Sequence, residues 1–457
     1  MKNVILVTQD RNDISNDERK RIIKEICNDG EFQIILLVIN AGENKDDYLE
    51  VEGVKNVITS MELEYMESME GLSYDEIVKY KQDQSDIETM AYRMFGDYQL
   101  SKYYYYEALC FWIRFFNEHQ VDIIIHTKAY HGFMYDCCDI VAKKKGIKSF
   151  HMTPIGYHNT FTIYSYRKIL PVFDYPIENI DYLLESSYDK NGMAPTTEKK
   201  NFFRKILYRI GGNLLEDYAI RLVRWDWRPR PYLRKRAKIY WSEKFFGYME
   251  LKNTERFMNK ISCKPNFDEK YICYFLHFEP EASIQVSTEL ANQLVILKML
   301  SETLPKGWSV FVKEHPAQFK VNHDVGYYFM FDAPLFKTKK FYKKLISIPN
   351  VKLINHSVTS KELVEHSQAV SSILGTVFFE SISKNKPILV FSDLNPVAYL
   401  RDAFSIHSFD ECKIAMKKIE RGFIPNYDDA DVVVSKYVFK GEFMTENVMG
   451  LLHRECK

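Results

Sequence analysis

The chain has 457 residues, of which 46% are hydrophobic and 27% are charged, and its formal net charge is +0. This length predicts two domains with an extra segment rather than one core, and the composition excludes a disordered chain. The balanced charge gives no global field that would favour nucleic acid as a partner.

The cysteines and the apolar runs limit the chemistry and the location that we expect. The eight cysteines include no C-x-x-C pair, so we expect neither a zinc site nor a disulfide framework, and a reducing compartment fits. The first residues, Met1 to Thr8, predict a strand and are too short for a signal peptide. No run of 18 apolar residues occurs, so we expect a cytoplasmic protein without a spanning helix.

The first half of the chain alternates apolar strands with helical patterns. Val4–Thr8 and Phe32–Ile39 are continuous apolar runs around a helical stretch, which is typical of parallel strands covered on both faces. A long aromatic helix over 98–120 precedes a strand over 121–126, a helix over 133–145 and a strand over 147–151. This alternation predicts a Rossmann-like domain over residues 1–190, although no G-x-G-x-x-G follows the first strand.

A basic segment separates the two halves. Residues 199–238 contain 13 Lys or Arg residues and three acidic residues, which gives the segment a net charge of +10. Trp225, Trp227 and Tyr232 lie among the arginines, a combination that suits a membrane interface with anionic lipid. A solvated basic linker is the alternative, and nothing else supports nucleic acid. We assign residues 191–265 to this linker or insertion and its following helix.

The second half repeats the alternation and predicts a second Rossmann-like domain over residues 266–457. Strands are predicted at 271–276, 309–312, 351–354, 369–373 and 387–391. Ser287 or Thr288 can cap a leucine-rich helix, and Thr359 with Glu362 forms a capping box. The predicted fold class is therefore α/β, with two parallel-sheet domains.

Polar residues follow three of these strands. They are His277 to Glu281, Lys313 to Pro316, and Gly375 to Glu380. The carboxyl ends of parallel strands are where open α/β sheets bind ligands. His315 and Lys313 can donate to an anion, Thr376 opens a helix whose N–H groups favour phosphate, and Glu380 can accept from ribose hydroxyls. Together they predict a nucleotide-phosphate site.

The same region resembles a known family. The runs FLHFEPEAS, LPKGW, VKEHP, IPNVKLI and GTVFFESISKNKPILVF, between Tyr271 and Phe391, are similar to the capsule and surface polysaccharide biosynthesis family, which includes Kdo-type capsule transferases. The resemblance implies a metal-independent GT-B glycosyltransferase, with two Rossmann-like domains facing across a cleft and a nucleotide-sugar bound by the second. It identifies His315-Pro316 as the family's His-Pro motif and Gly375-Thr376 as its Ser/Thr loop. Many relatives use CMP-activated acidic sugars, but Glu314 makes this motif less positive and leaves the nucleotide open.

Catalysis would need a carboxylate, as base or as stabiliser of an oxocarbenium-like centre. Glu279 and Glu281 lie on a loop after a strand, and Asp10 is a rival in the first domain, so the choice stays open. We expect no cofactor and no metal: Asp428, Asp429 and Asp431 form an acidic run without His or other ligand spacing.

The sequence thus predicts a glycosyltransferase that moves a sugar from a nucleotide-sugar donor onto a glycan or lipid-linked glycan acceptor. We expect it at the inner face of the cell membrane, held peripherally through residues 199–238. Three alternatives stay open: a nucleotide-sugar 2-epimerase on the same fold, a CDP-glycerol-type phosphotransferase, and a non-catalytic assembly partner.

Overall fold

The computed structural model describes residues 1–8, 16–40, 43–64, 72–127, 132–155, 160–173, 175–180, 183, 249–279, 281, 284–285, 288–316, 318–319 and 336–456. Asp10 and the basic segment 199–238 lie outside these residues, as does most of the predicted linker.

The strands are numbered in chain order. They are β1 (Lys2–Val7), β2 (Phe32–Ile39), β3 (Val57–Thr59), β4 (Ile123–His126), β5 (Lys148–Pro154), β6 (Thr160–Ser165), β7 (Lys168–Leu170), β8 (Tyr271–Phe275), β9 (Ser309–Lys313), β10 (Val351–Ile354), β11 (Ala369–Ser372), β12 (Ile388–Val390), β13 (Phe404–Ser405) and β14 (Phe439–Lys440).

The α-helices with complete bounds are numbered likewise. They are α1 (Asn16–Asn28), α2 (Asp46–Leu49), α3 (Ser60–Glu64), α4 (Tyr74–Lys79), α5 (Gln84–Phe95), α6 (Tyr98–Glu118), α7 (Phe133–Lys144), α8 (Gln293–Thr303), α9 (Lys339–Ile346), α10 (Ser360–His366), α11 (Val377–Ser383), α12 (Phe409–Glu420), α13 (Ala430–Tyr437) and α14 (Met444–Glu455). Residues 249–261 are also helical, and short 3-10 turns occupy Lys81–Asp83, Pro396–Tyr399 and Gly441–Phe443.

The first sheet has the order β14-β6-β5-β4-β1-β2-β3, with β7 paired to β6. Strands β1 to β5 pair in parallel, and β6, β7 and β14 add antiparallel partners. Helix α6 begins where the side chain of Asp97 accepts the N–H of Leu100 at 2.8 Å, and its aromatic residues pack into the core of this sheet. The predicted long aromatic helix is therefore present.

The second sheet, β10-β9-β8-β11-β12-β13, is parallel throughout. The capping box of Thr359 and Glu362 opens α10, as the sequence predicted. The predicted cap at Ser287 or Thr288 is wrong, because α8 begins at Gln293 with Asn292 as its cap. The Asn292 side chain accepts the N–H groups of Leu294 and Val295, and the Thr288 hydroxyl accepts the N–H of Leu290 within a preceding turn.

The end of the chain returns to the first sheet. Strand β14 pairs with β6, and α14 packs against α1, where the Thr445 N–H donates to Glu18 at 2.9 Å. Val448, Leu451 and Leu452 are fully buried in the core shared with β1 and β2. The predicted α/β class with two parallel-sheet domains is confirmed, while the boundaries at 190 and 265 stay predictions. Within the described ranges, no helix combines the length and hydrophobicity needed to cross a bilayer.

Candidate functional site

The three polar segments that the sequence singled out meet at one edge of the second sheet. Strands β9, β8 and β11 are neighbours in the sheet, so their carboxyl ends lie side by side. The ring of His277, after β8, connects two of these ends because its Nε2 accepts the N–H of Leu374 at 2.9 Å. Nε2 also lies 3.1 Å from the Ser372 hydroxyl. This acceptor role leaves the ring proton on Nδ1, which faces Glu281 at 3.8 Å.

His315 and Pro316 lie at the end of β9. His315 is half-buried, and its ring centroid is 6.2 Å from that of Phe278 on the neighbouring loop. Burial lowers the pKa of His315 to about 4, with Glu281 opposing the shift and Lys337 adding to it. The imidazole is therefore neutral at physiological pH and can donate one hydrogen bond without bringing a full positive charge.

Lys313 is directed towards the next strand. Its ammonium donates to the carbonyls of Asn355 at 3.1 Å and His356 at 2.9 Å, both just beyond β10. Burial lowers its pKa to about 8. Two backbone acceptors thus already occupy the side chain, and its predicted anion contact stays a prediction.

Glu314 carries a negative charge that the structure neutralises internally. Its carboxylate accepts from Lys337 at 2.7 Å, from the Tyr342 hydroxyl at 2.6 Å and from the His315 N–H at 2.7 Å. Lys337 also donates to the carbonyl of His277. Both side chains are essentially inaccessible to solvent. The acidic residue before the His-Pro pair is therefore part of a buried network that joins β9 to the loop after β8.

The two carboxylates of that loop have different surroundings. The Glu279 side chain accepts from Gln293, and its backbone makes two 2.9 Å hydrogen bonds with Gln318. Burial raises the pKa of Glu279, against the attraction of Lys337. Glu281 faces His277, and its side chain is 38% exposed. Of the two, Glu281 has the geometry of a group that can contact a ligand.

The third segment begins at Gly375. A Cβ at this position would lie 3.0 Å from the Ser372 hydroxyl and 3.1 Å from a Val377 methyl, so a side chain would displace the loop. Thr376 precedes α11, and the N–H groups of Gly375, Thr376 and Val377 donate to no acceptor among the described residues. Backbone N–H groups without an acceptor at and just before the start of a helix can bind an anion.

Glu380 lies one turn into α11. It is buried, and its Oε2 has no hydrogen-bond partner in the described part of the chain. Burial raises its pKa to about 7, with Lys384 opposing the shift. Such a carboxyl is costly to bury unless a ligand donates to it.

Sequence reasoning missed Lys337, Gln293 and Gln318. Their contacts span 16 to 60 residues, so no local pattern marks them. One signal was available: a buried Glu314 directly after an apolar strand requires a cation or several donors. The sequence contains several lysines near position 337, and only the structure selects this one.

Comparisons with known proteins give limited information. No protein-family model matches the sequence, and a search of curated proteins finds no match. Among solved structures, the Thermosulfurimonas dismutans KpsC β-Kdo 2,7-transferase is 10% identical, with 98% of this chain and 99% of that chain covered and a TM-score of 0.32. The UDP-GlcNAc 2-epimerase of Methanocaldococcus jannaschii is 10% identical, with 99% and 100% covered and a TM-score of 0.26. Similarities this weak transfer neither an activity nor a site residue.

Proposed function

We propose that this protein is a GT-B-type glycosyltransferase that moves a sugar from a nucleotide donor onto a bacterial surface or capsular glycan. The observation that carries the proposal is the meeting of His277, His315 and the free N–H groups of residues 375–377 at neighbouring strand ends of a parallel sheet. This edge is where such sheets bind nucleotides. The family resemblance of the same segments supports the choice of reaction.

The donor phosphate contacts the N–H groups of Gly375, Thr376 and Val377 and accepts a hydrogen bond from His315. Oriented backbone donors hold an anion without a permanent positive charge, and a neutral imidazole adds one directed bond. Lys337 is paired with Glu314, so its charge is largely compensated. We infer that a singly charged phosphodiester, as in a CMP-activated acidic sugar such as Kdo, suits this site better than a diphosphate.

Glu380 accepts hydrogen bonds from the donor's ribose hydroxyls. Its buried Oε2 has no partner among the described residues, and a diol supplies the missing donors. The carboxyl has a pKa of about 7, so at neutral pH a large fraction is ionised and can accept in this way.

Glu281 is the catalytic carboxylate that we favour in this domain. It is partly exposed and faces the Nδ1 of His277, whereas Glu279 is held by Gln293. Glu281 takes the proton of the attacking acceptor hydroxyl, or stabilises the positive charge that develops on the sugar. Asp10 is the rival carboxylate in the first domain.

The experiment is an incubation with CMP-Kdo and a glycan acceptor, followed by mass spectrometry of the acceptor. We expect the acceptor to gain one sugar, and the Glu281→Gln variant to bind CMP normally while turnover falls by about 10²-fold or more. Glu302→Gln, an exposed carboxylate on α8, is the matched control and keeps full activity.

Parallel incubations separate the alternatives. If NMR detects epimerisation of UDP-GlcNAc, the protein is a nucleotide-sugar epimerase. If glycerol phosphate is transferred from CDP-glycerol, it is a CDP-glycerol-type phosphotransferase. Nucleotide binding without turnover of any donor would favour a non-catalytic assembly partner. An active Glu281→Gln variant together with an inactive Asp10→Asn variant would move the base to the first domain.

A further inference from the structure

The hairpin between β6 and β7 carries an arginine that joins the two domains. The guanidinium of Arg167 donates to Asp86 on α5 at 2.9 Å and to Glu289 at 2.5 Å. Asp86 belongs to the first domain, as the hairpin does, whereas Glu289 lies in the second domain, between β8 and α8. The ion pair of Arg167 and Glu289 therefore crosses from one domain to the other and joins residues 122 positions apart in the chain.

The backbone of the hairpin fixes the position of this arginine. Ser165 and Lys168 are register partners, so Tyr166 and Arg167 are the two central residues of the turn. Their φ values are 45° and 66°, the left-handed conformation that such a two-residue turn requires. Tyr and Arg adopt this conformation less readily than Gly or Asn, so the turn holds them at a cost in free energy. Backbone strain of this kind indicates a functional constraint on the side chain that the turn presents.

A second contact between the domains is made by the same helix. Tyr92, also on α5, packs its ring 5.7 Å from that of Phe336 in the second domain. It lies six residues after Asp86, which is about 9 Å along the helix axis. Both rings are half-buried, so this contact adds apolar area to the charged contact of Arg167. Helix α5 therefore touches the second domain both directly and through the hairpin.

Both contacts reach segments that hold the loop after β8. Glu289 precedes Gln293 by four residues, and the Gln293 side chain accepts the N–H of His277 at 2.8 Å. Phe336 directly precedes Lys337, whose ammonium donates to the carbonyl of His277. The backbone of His277 is thus held on both sides by residues within four positions of a contact with the first domain.

We propose that Asp86, Arg167 and Glu289 form an interdomain bridge that holds the first domain closed on the second and thereby positions the loop after β8. The effect on that loop rests on the proposed donor site, whereas the bridge itself does not. The side chains of Asp86 and Glu289 are 55% and 80% exposed, so salt screens the bridge and its loss shifts an equilibrium by up to about fivefold. A contact of this strength opens and forms again readily, as regulation of access to the donor site requires.

Small-angle X-ray scattering of the full-length protein tests the bridge without any nucleotide. Glu289→Lys places a second cation against Arg167, so we expect a larger radius of gyration than in the wild type at low salt. Position 289 is exposed, so the substitution leaves the fold intact. Glu302→Lys is the matched control, because the partner of this exposed carboxylate is Lys298 on the same helix. Combining Glu289→Lys with Arg167→Glu restores a pair of opposite charges and should return the radius to the wild-type value.

Calorimetric titration with CMP tests the effect of the bridge on the donor site. We expect Glu289→Lys to bind CMP about two- to fivefold more weakly than the wild type and Glu302→Lys do. The double variant should bind like the wild type. High salt should remove the difference between the proteins, because it screens the bridge of the wild type as well.

The scattering and the titration can fail separately. Equal radii of the wild type and Glu289→Lys, an equal increase in Glu302→Lys, or no recovery in the double variant would overturn the bridge. A larger radius with unchanged CMP affinity would overturn its effect on the loop after β8. If CMP binds to none of these proteins, the proposed donor site and this effect are both wrong, and the scattering still decides whether the bridge closes the domains.

Discussion

At the scale of single residues, we expect nucleotide binding to depend most on the side chain of His315. Its neutral imidazole lies at the strand end that we assign to the donor phosphate. His315→Ala removes one hydrogen bond to a charged group, worth about 1.5–3 kcal/mol, so CMP affinity should fall roughly tenfold or more. Calorimetric titration measures this. His366→Gln, an exposed histidine on α10, should bind like the wild type; equal affinities of all three proteins would remove His315 from the site.

We expect the buried carboxyl of Glu380 to lower the free energy of unfolding while it contributes to CMP binding. Its pKa is about 7 in the folded protein against an ordinary value of 4.5, so the folded state holds the proton more tightly than the unfolded state. The carboxyl therefore lowers stability as pH rises from about 4.5 to 7, by about 3 kcal/mol at most, and the whole cost is present above pH 7.

Glu380→Gln should consequently raise the free energy of unfolding at pH 8 much more than at pH 5, while CMP affinity falls. Urea denaturation at both pH values provides the measurement. A gain that is the same at pH 5 and pH 8 would show that the carboxyl does not titrate as its burial implies.

At the scale of elements, the Glu314–Lys337 pair fixes β9 to the loop after β8. Lys337→Met leaves a buried carboxylate without its cation, which costs about 3–5 kcal/mol. Adding Glu314→Gln removes that charge, so the double variant should be more stable than Lys337→Met alone. Urea denaturation of the wild type, Lys337→Met, Glu314→Gln and the double variant gives the coupling energy of the pair.

The partly exposed pair Lys352–Glu269 is the matched control, because Lys352→Met there should cost only about 1 kcal/mol or less. If Lys337→Met is no more destabilising than Lys352→Met, the network does not hold the two strand ends together.

Elements were predictable where one local pattern decides them. Continuous apolar runs predict β1, β2, β8 and β9, since a strand buried on both faces needs no alternation. The start of α8 was not predictable in the same way, because Thr288 and Asn292 are both competent caps and the tertiary structure selects the second.

Within the site, the sequence predicts which strand ends carry polar groups but not the direction of each side chain. Lys313 follows the rule for an anion ligand, yet it bonds to the carbonyls after β10. The contact of Asp139 with His126 and His151 in the first domain was not predicted, because these residues are 13 and 12 residues apart and only strand register brings the two histidines together.

At the scale of the whole molecule, the last helix stabilises the first domain although it ends the chain. Leu451 is fully buried between α14 and the first sheet. Leu451→Ala should destabilise the protein by about 2–5 kcal/mol and speed amide exchange in α1 more than in α8. Ile414→Ala, 55% exposed on α12, should change neither; faster exchange confined to the second sheet would contradict this packing.

We expect the basic segment 199–238 to attach the whole molecule to the membrane, because a lipid-linked acceptor requires contact with the membrane. Each basic residue near an anionic surface contributes about 1 kcal/mol, and salt screens the attraction. We expect the protein to sediment with anionic liposomes at low salt and to be released at high salt. Replacing Arg228, Arg230, Arg234 and Arg236 by Gln should weaken sedimentation and leave CMP binding intact. A wild-type protein that ignores such liposomes would make the segment a linker or a protein-binding face.

We propose that a nucleotide binds across the ends of β8, β9 and β11, and hydrogen exchange measured by mass spectrometry is the sharpest test of this binding. Adding CMP to the full-length protein should slow exchange in peptides that cover 313–316 and 374–380, because the free N–H groups before α11 become hydrogen-bonded to phosphate. Peptides from β1 and β2 serve as the internal reference and should be unchanged. Protection confined to the first domain, or no protection at saturating CMP, CDP, UDP and GDP, would show that no nucleotide binds at these strand ends.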